Sequence, residues 1–129
     1  MEQPQYLIDT NVVIDYLGQK IPLSGMDFMN NIIDAMPNIS VVTKIEVLGF
    51  NAPDEHYKLL SNFMDDALIL DLTPDVINLS IAIRKTGKIK LPDAIIAATA
   101  LVFDLTLITR NSADFKNITG LKIVNPHEV

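Results

Sequence analysis

Residues 6–17 read Tyr6-Leu7-Ile8-Asp9-Thr10-Asn11-Val12-Val13-Ile14-Asp15-Tyr16-Leu17. Three apolar residues after Pro4 make a short strand. Val12, Val13, Tyr16 and Leu17 then recur at helical spacing and stop near Gly18. The hydrophobic period switches from strand to helix within a few residues, and an acid, Asp9, stands at the joint.

The same alternation continues along the chain. After Ser24 and Gly25, the residues Met26, Met29, Ile32, Ile33 and Met36 form one helical stripe that ends before Pro37. The β-branched run Ile39 to Val42 reads as a strand. Thr43 and Glu46 have the spacing of a capping box, with a helix over about 44–50. Asn51-Ala52-Pro53 breaks it. Asp54 to Asp66 is a further helix, with Tyr57, Leu60, Phe63 and Met64 inward. Leu68-Ile69-Leu70 is a strand. Pro74 and Pro92 each sit at a helix start, where a missing N–H costs little. The second of these helices, 92 to about 103, is apolar on most faces and should be buried. Two last strands fall at 105–109 and 121–124. Five strands, near 5–8, 39–42, 68–71, 105–109 and 121–124, alternate with helices. That pattern predicts a three-layer α/β/α fold, a mostly parallel sheet covered on both faces, in one domain over residues 1–129.

Four acids sit where strands hand over to helices: Asp9, Glu46, Asp93 and Asp114. In open parallel sheets ligands bind beyond the carboxyl ends of the strands. The topology is therefore what would bring these carboxylates together. A pocket of that charge is tolerated mainly around a cation.

Each acid also has an ordinary explanation. Asp9 suits the N-cap of the following helix, though Thr10 and Asn11 are equally able to cap it. Glu46 is accounted for by the capping box. Asp93, one residue past Pro92, gains from the helix dipole by about 0.3–1 kcal/mol. Asp114 is explicable as a loop residue, as are Thr109 and Asn111. The four together favour a shared site.

Composition narrows the classes. The 129 residues are 49% hydrophobic and 20% charged, which describes a globular chain rather than a disordered one. No apolar stretch reaches the roughly 20 residues of a membrane helix, and no secretory signal is visible. The absence of cysteine removes disulfides, thiolate metal sites and a cysteine nucleophile, and fits a cytoplasmic protein. Two scattered histidines, His56 and His127, read as surface residues and make zinc improbable. The five methionines read as core filler. A net charge of −6 argues against nucleic acid only weakly, because an acidic metal pocket supplies much of it. The basic residues are uneven: Arg84, Lys85, Lys88 and Lys90 crowd the approach to Asp93. A solvated helix end explains them as well as a phosphate-guiding patch does.

With these residues in view, the chain resembles the PIN domain, specifically the small VapC-like toxins of prokaryotic toxin–antitoxin pairs. LIDTNVVIDYL (7–17) resembles the family's first motif, with Asp9 as its acid and Asn11 as its supporting polar group. ISVVTKIEVLGF (39–50) resembles the second, with Glu46, and LPDAIIAATAL (91–101) the third, with Asp93. LITRNSADF (107–115) resembles the last, with Thr109, Asn111 and Asp114, and IVNP (123–126) the closing strand. Some members carry an acid where this chain has Asn111, so either Asn111 or Asp114 fills the fourth position. The resemblance implies a metal-dependent ribonuclease, usually dimeric, restrained by a cognate antitoxin.

The chemistry expected of the acids is all-oxygen coordination of Mg²⁺ or Mn²⁺. Asp9 and Asp93 are the expected direct ligands, Glu46 and Asp114 complete the pocket, and Thr10, Asn11, Thr109 and Asn111 support it. One ion and two ions are both compatible with the spacing. A haloacid-dehalogenase-like phosphatase would use Asp9 as nucleophile but wants a second Asp two positions on, where Asn11 stands. A receiver domain would need paired acids at the first strand. A non-catalytic binding module would use the same acids to grip a basic partner.

Overall fold

A computed structural model describes residues 5–129. The elements run β1 (Tyr6–Ile8), α1 (Thr10–Leu17), α2 (Leu23–Asp34), β2 (Asn38–Ser40), α3 (Val41–Leu48) and α4 (Asp54–Asp66). They continue as β3 (Leu68–Leu70), α5 (Pro74–Thr86), α6 (Leu91–Val102), β4 (Thr106–Ile108), α7 (Ser112–Phe115) and β5 (Ile123–Val124). All strand pairings are parallel, in the order β3-β2-β1-β4-β5.

Why the sheet is covered twice is visible in its central strands. Leu7 and Ile8, like Leu107 and Ile108, are fully buried neighbours that point to opposite faces. Leu7 and Leu107 pack with Val76, Ile83, Ala94, Ala97 and Phe115, under α5, α6 and α7. Ile8 and Ile108 pack with Val12, Val13, Met29, Ile39, Val47, Leu60 and Met64, under α1 to α4. The expected three layers are thus present. Ala94, Ala97, Ala98 and Ala100 are all buried, so α6 presents little side-chain bulk and lies close against its neighbours. Among the described residues no helix is long and apolar enough to cross a membrane.

Several boundaries differ from the sequence reading. β2 ends at Ser40, whose hydroxyl accepts from the Val42 N–H at 3.2 Å, and Val41 and Val42 open α3. Thr43 is therefore inside the helix, and the capping box with Glu46 does not form. The β-branched pair was read as strand, but a serine cap decided the local structure. α2 begins at Leu23, before Ser24 and Gly25. It ends by turning Met36 into the left-handed region (φ 67°), which leaves that side chain 60% exposed rather than on the stripe. Tyr57 faces outward at 43% exposure, while Leu60 and Met64 hold the inner face of α4. Residues 112–115 form a short helix where only a loop was expected. His127 is half-buried, with Nε2 3.3 Å from Asp15 Oδ2, rather than a free surface residue.

Candidate active site

β1 has β2 on one side and β4 on the other, so the chain leaves this strand toward both edges of the sheet. Such a reversal opens a crevice at the carboxyl ends of the central strands. The residue after β1 is Asp9, and the residue after β4 is Thr109. Asp9 N–H still donates to Ile108 C=O (2.9 Å), and Thr109 N–H to Val124 C=O (3.0 Å), so the sheet ladder fixes both.

Asp9 is 4% exposed. Its Oδ1 accepts from the Thr10 N–H (2.8 Å), capping α1, and its Oδ2 accepts from the Thr109 hydroxyl (2.8 Å). The capping role weighed against a site role is thus real, and it uses one oxygen of the pair. Thr109 is itself fully buried and accepts from the Asn111 N–H at 3.0 Å. Burial pushes the Asp9 carboxyl above its ordinary 3.8, against the pull of its hydrogen bonds to Thr109 and Thr10. The nearby Glu46 adds to the rise, and Arg110 opposes it.

Glu46 projects from the middle of α3. Its Oε1 accepts from the Thr10 hydroxyl at 2.7 Å, and the same hydroxyl lies 3.1 Å from Thr43 Oγ1. Thr43 and Glu46 thus do cooperate, but as a bridge to α1 rather than as a cap. Asp93 lies half-buried in the first turn of α6. Its carboxyl is raised by burial first, then by the charges of Asp9, Asp114 and Glu46, with Lys90 acting in the opposite sense. Asp114, exposed in the first turn of α7, therefore stands close enough for its charge to be felt at Asp93. Asp93 is thus the residue at which the charges of the other three acids meet. Asn111 contributes its backbone N–H to Thr109 and N-caps α7 with no side-chain bond. Asn11 is half-buried in the first turn of α1, and no hydrogen bond among the described residues links its amide to the acids.

Two participants went unread in the sequence. Arg110 Nη1 lies 3.1 and 2.8 Å from the two oxygens of Asp15, which is buried in α1. The guanidinium that is near Asp9 is therefore already committed to another carboxylate. The available signal was Asp15 itself, a charged residue between Ile14 and Tyr16 in the otherwise apolar run from Val12 to Leu17.

The donor set suits a hard divalent cation. Asp9 is a buried carboxylate whose hydrogen-bond donors, Thr10 and Thr109, are neutral, and Asp93 faces three like charges. Among the described residues no three acidic or histidine side chains are gathered at ligand distance.

A family model described as PIN domain matches residues 6–121. Among solved structures, a toxin–antitoxin complex from Klebsiella pneumoniae contains a similar chain at 33% identity and TM-score 0.75, covering 97% of this chain and 100% of that one. DNA-bound VapBC from Salmonella typhimurium matches at 22% identity and TM-score 0.81, covering 96% and 99%. VapBC-1 from nontypeable Haemophilus influenzae matches at 21% identity and TM-score 0.78, covering 94% and 97%. No curated protein sequence matches significantly.

Proposed function

This chain belongs to the PIN domain family, and from that premise we propose that it is a metal-dependent endoribonuclease, the toxin of a type II toxin–antitoxin pair. The observation that carries this reading is the burial of Asp9 at the sheet's reversal point, with Asp93 pushed upward by burial first and then by the charges of the three other acids. A buried carboxylate at Asp9 and a second at Asp93 that feels the charge of the other acids support a cation as the missing partner.

Asp9 and Asp93 would hold the ion, Mg²⁺ or Mn²⁺, with Glu46 and Asp114 completing its surroundings. The chemistry such an ion supplies when bound is acidification of a water and neutralisation of charge developing on the scissile phosphate. The remaining work belongs to the protein. Thr109 and the Thr10 N–H fix the orientation of Asp9. Thr10 fixes Glu46 beside it. Glu46 and Asp114, exposed at the rim, are the carboxylates available to accept a proton from an attacking water.

The Klebsiella relative is described as part of a toxin–antitoxin complex, and this supports a cognate antitoxin as partner. A homodimer follows from the family reading. Position 11 being Asn removes the acid a phosphatase of the dehalogenase type would need.

The test is cleavage of end-labelled single-stranded RNA by the full-length chain with Mg²⁺ or Mn²⁺. Metal-dependent internal cuts are expected, and Asp9→Asn or Asp93→Asn should each reduce the rate by roughly a hundredfold or more, the scale of a lost transition-state charge contact. Full activity in either variant ends the assignment.

A further inference from the structure

The turn between α5 and α6 is unlike the rest of this acidic surface. Arg84, Lys85, Lys88 and Lys90 are four of the ten cationic residues, and no acid occurs between Asp75 and Asp93. Arg84, Lys88 and Lys90 line a shallow open concavity with Gly87 and Ile89. All four cations are exposed, and among the described residues the ion pairs are formed by Arg110 and His127 with Asp15, not by these.

Helix physics explains only part of the cluster. Arg84 and Lys85 are in the last turn of α5, where cations suit the macrodipole. Lys88 lies beyond the helix. Lys90 occupies the N-cap of α6, makes no side-chain capping bond, and sits at the end of the dipole that repels a cation. Its charge reaches Asp93, three residues on, and so bears directly on the acidic crevice. Space above Gly87 is open, so a strand can approach the backbone there.

Resting on the ribonuclease reading above, we infer that this turn is an RNA-backbone rail: Arg84, Lys88 and Lys90 hold the phosphates flanking the one that enters the carboxylate crevice. An anionic crevice repels an anionic polymer, and a cationic rail beside Asp93 offsets that repulsion where the strand must enter. The contact is to phosphates and carries no base preference.

Binding of fluorescein-labelled single-stranded RNA to the full-length chain, measured by anisotropy in chelator at several salt concentrations, tests it separately from cutting. Each phosphate contact on a single strand contributes about −0.7 to the slope of log affinity against log salt. Arg84→Gln with Lys88→Gln should weaken binding and make the slope shallower by about 1.4. The affinity gap to wild type should then narrow about sevenfold between about 50 and about 200 mM salt. Lys88→Gln alone, in an exposed turn, should give about half that change in slope. The charge-matched control, Lys20→Gln with Lys122→Gln, both exposed elsewhere, should leave affinity and slope nearly unchanged. Wild-type affinity and slope in the rail variants, a control that loses as much as they do, or no RNA binding at all overturns the inference. A chain that binds RNA through the rail but does not cut it with Mn²⁺ counts against the nuclease reading alone.

Discussion

Asp9 shows how one residue serves two masters: Oδ1 starts a helix, while Oδ2 is held by a buried threonine at the mouth of a charged crevice. The cost appears as a raised pKa. Both Asp9 and Asp93 sit above the ordinary 3.8 in the folded chain. The folded state therefore binds protons more readily than the unfolded one at these positions, and stability must fall as pH rises from about the ordinary carboxylate value through the raised folded values. Metal-free thermal melts against pH should show that decline, and Asp93→Asn should flatten it. A decline of equal steepness in the variant would mean the crevice is not its source. The positions of Asp9 and Asp114 were legible, because an acid at a strand-to-helix joint is a local pattern, whereas Asp93 follows helix α5 and Glu46 lies inside α3. Arg110 was not, because its partner Asp15 lies 95 positions away in sequence.

At the scale of elements, the instructive error is α3. Ile39 to Val42 has strong strand character, yet the chain turns at Ser40 because a serine hydroxyl satisfies the Val42 N–H at the new helix's start. Ser40→Ala should therefore cost about 0.5–2 kcal/mol in denaturant unfolding. Because α3 carries Glu46, RNA cleavage should fall as well. No loss of stability would restore the alternative start at Thr43. The shift has a structural consequence. With the cap at Ser40, Glu46 lies in the second turn and reaches Thr10 across the interface with α1. α7 escaped notice because four residues are too few to show a period.

For the whole molecule, five strands and every helix but α7 could be counted from the sequence, but strand order could not. The order decides that β1 and β4 are neighbours, and hence that Asp9 meets Thr109 across 100 positions. The C-terminal tail was likewise unreadable. Ser24 Oγ donates to Val129 C=O (2.6 Å), and His127 approaches Asp15, so the tail is strapped across α1 and α2. Gly25 makes this possible, since a Cβ there would collide with the Pro126 carbonyl oxygen. Gly to Ala inside a helix ordinarily stabilises by about 1 kcal/mol. Here Gly25→Ala should instead destabilise by about 1–3 kcal/mol, the scale of overpacking, and a thermal melt gives the sign directly.

In the proposed site, acids from distant stretches of the chain hold one cation. Calorimetric titration of the metal-free chain with Mn²⁺ near neutral pH measures that binding without reference to any substrate. Saturable uptake by the wild type, lost in Asp9→Asn and in Asp93→Asn alike, is the predicted result. Uptake unchanged in either variant would contradict it, because then the two carboxylates do not share an ion.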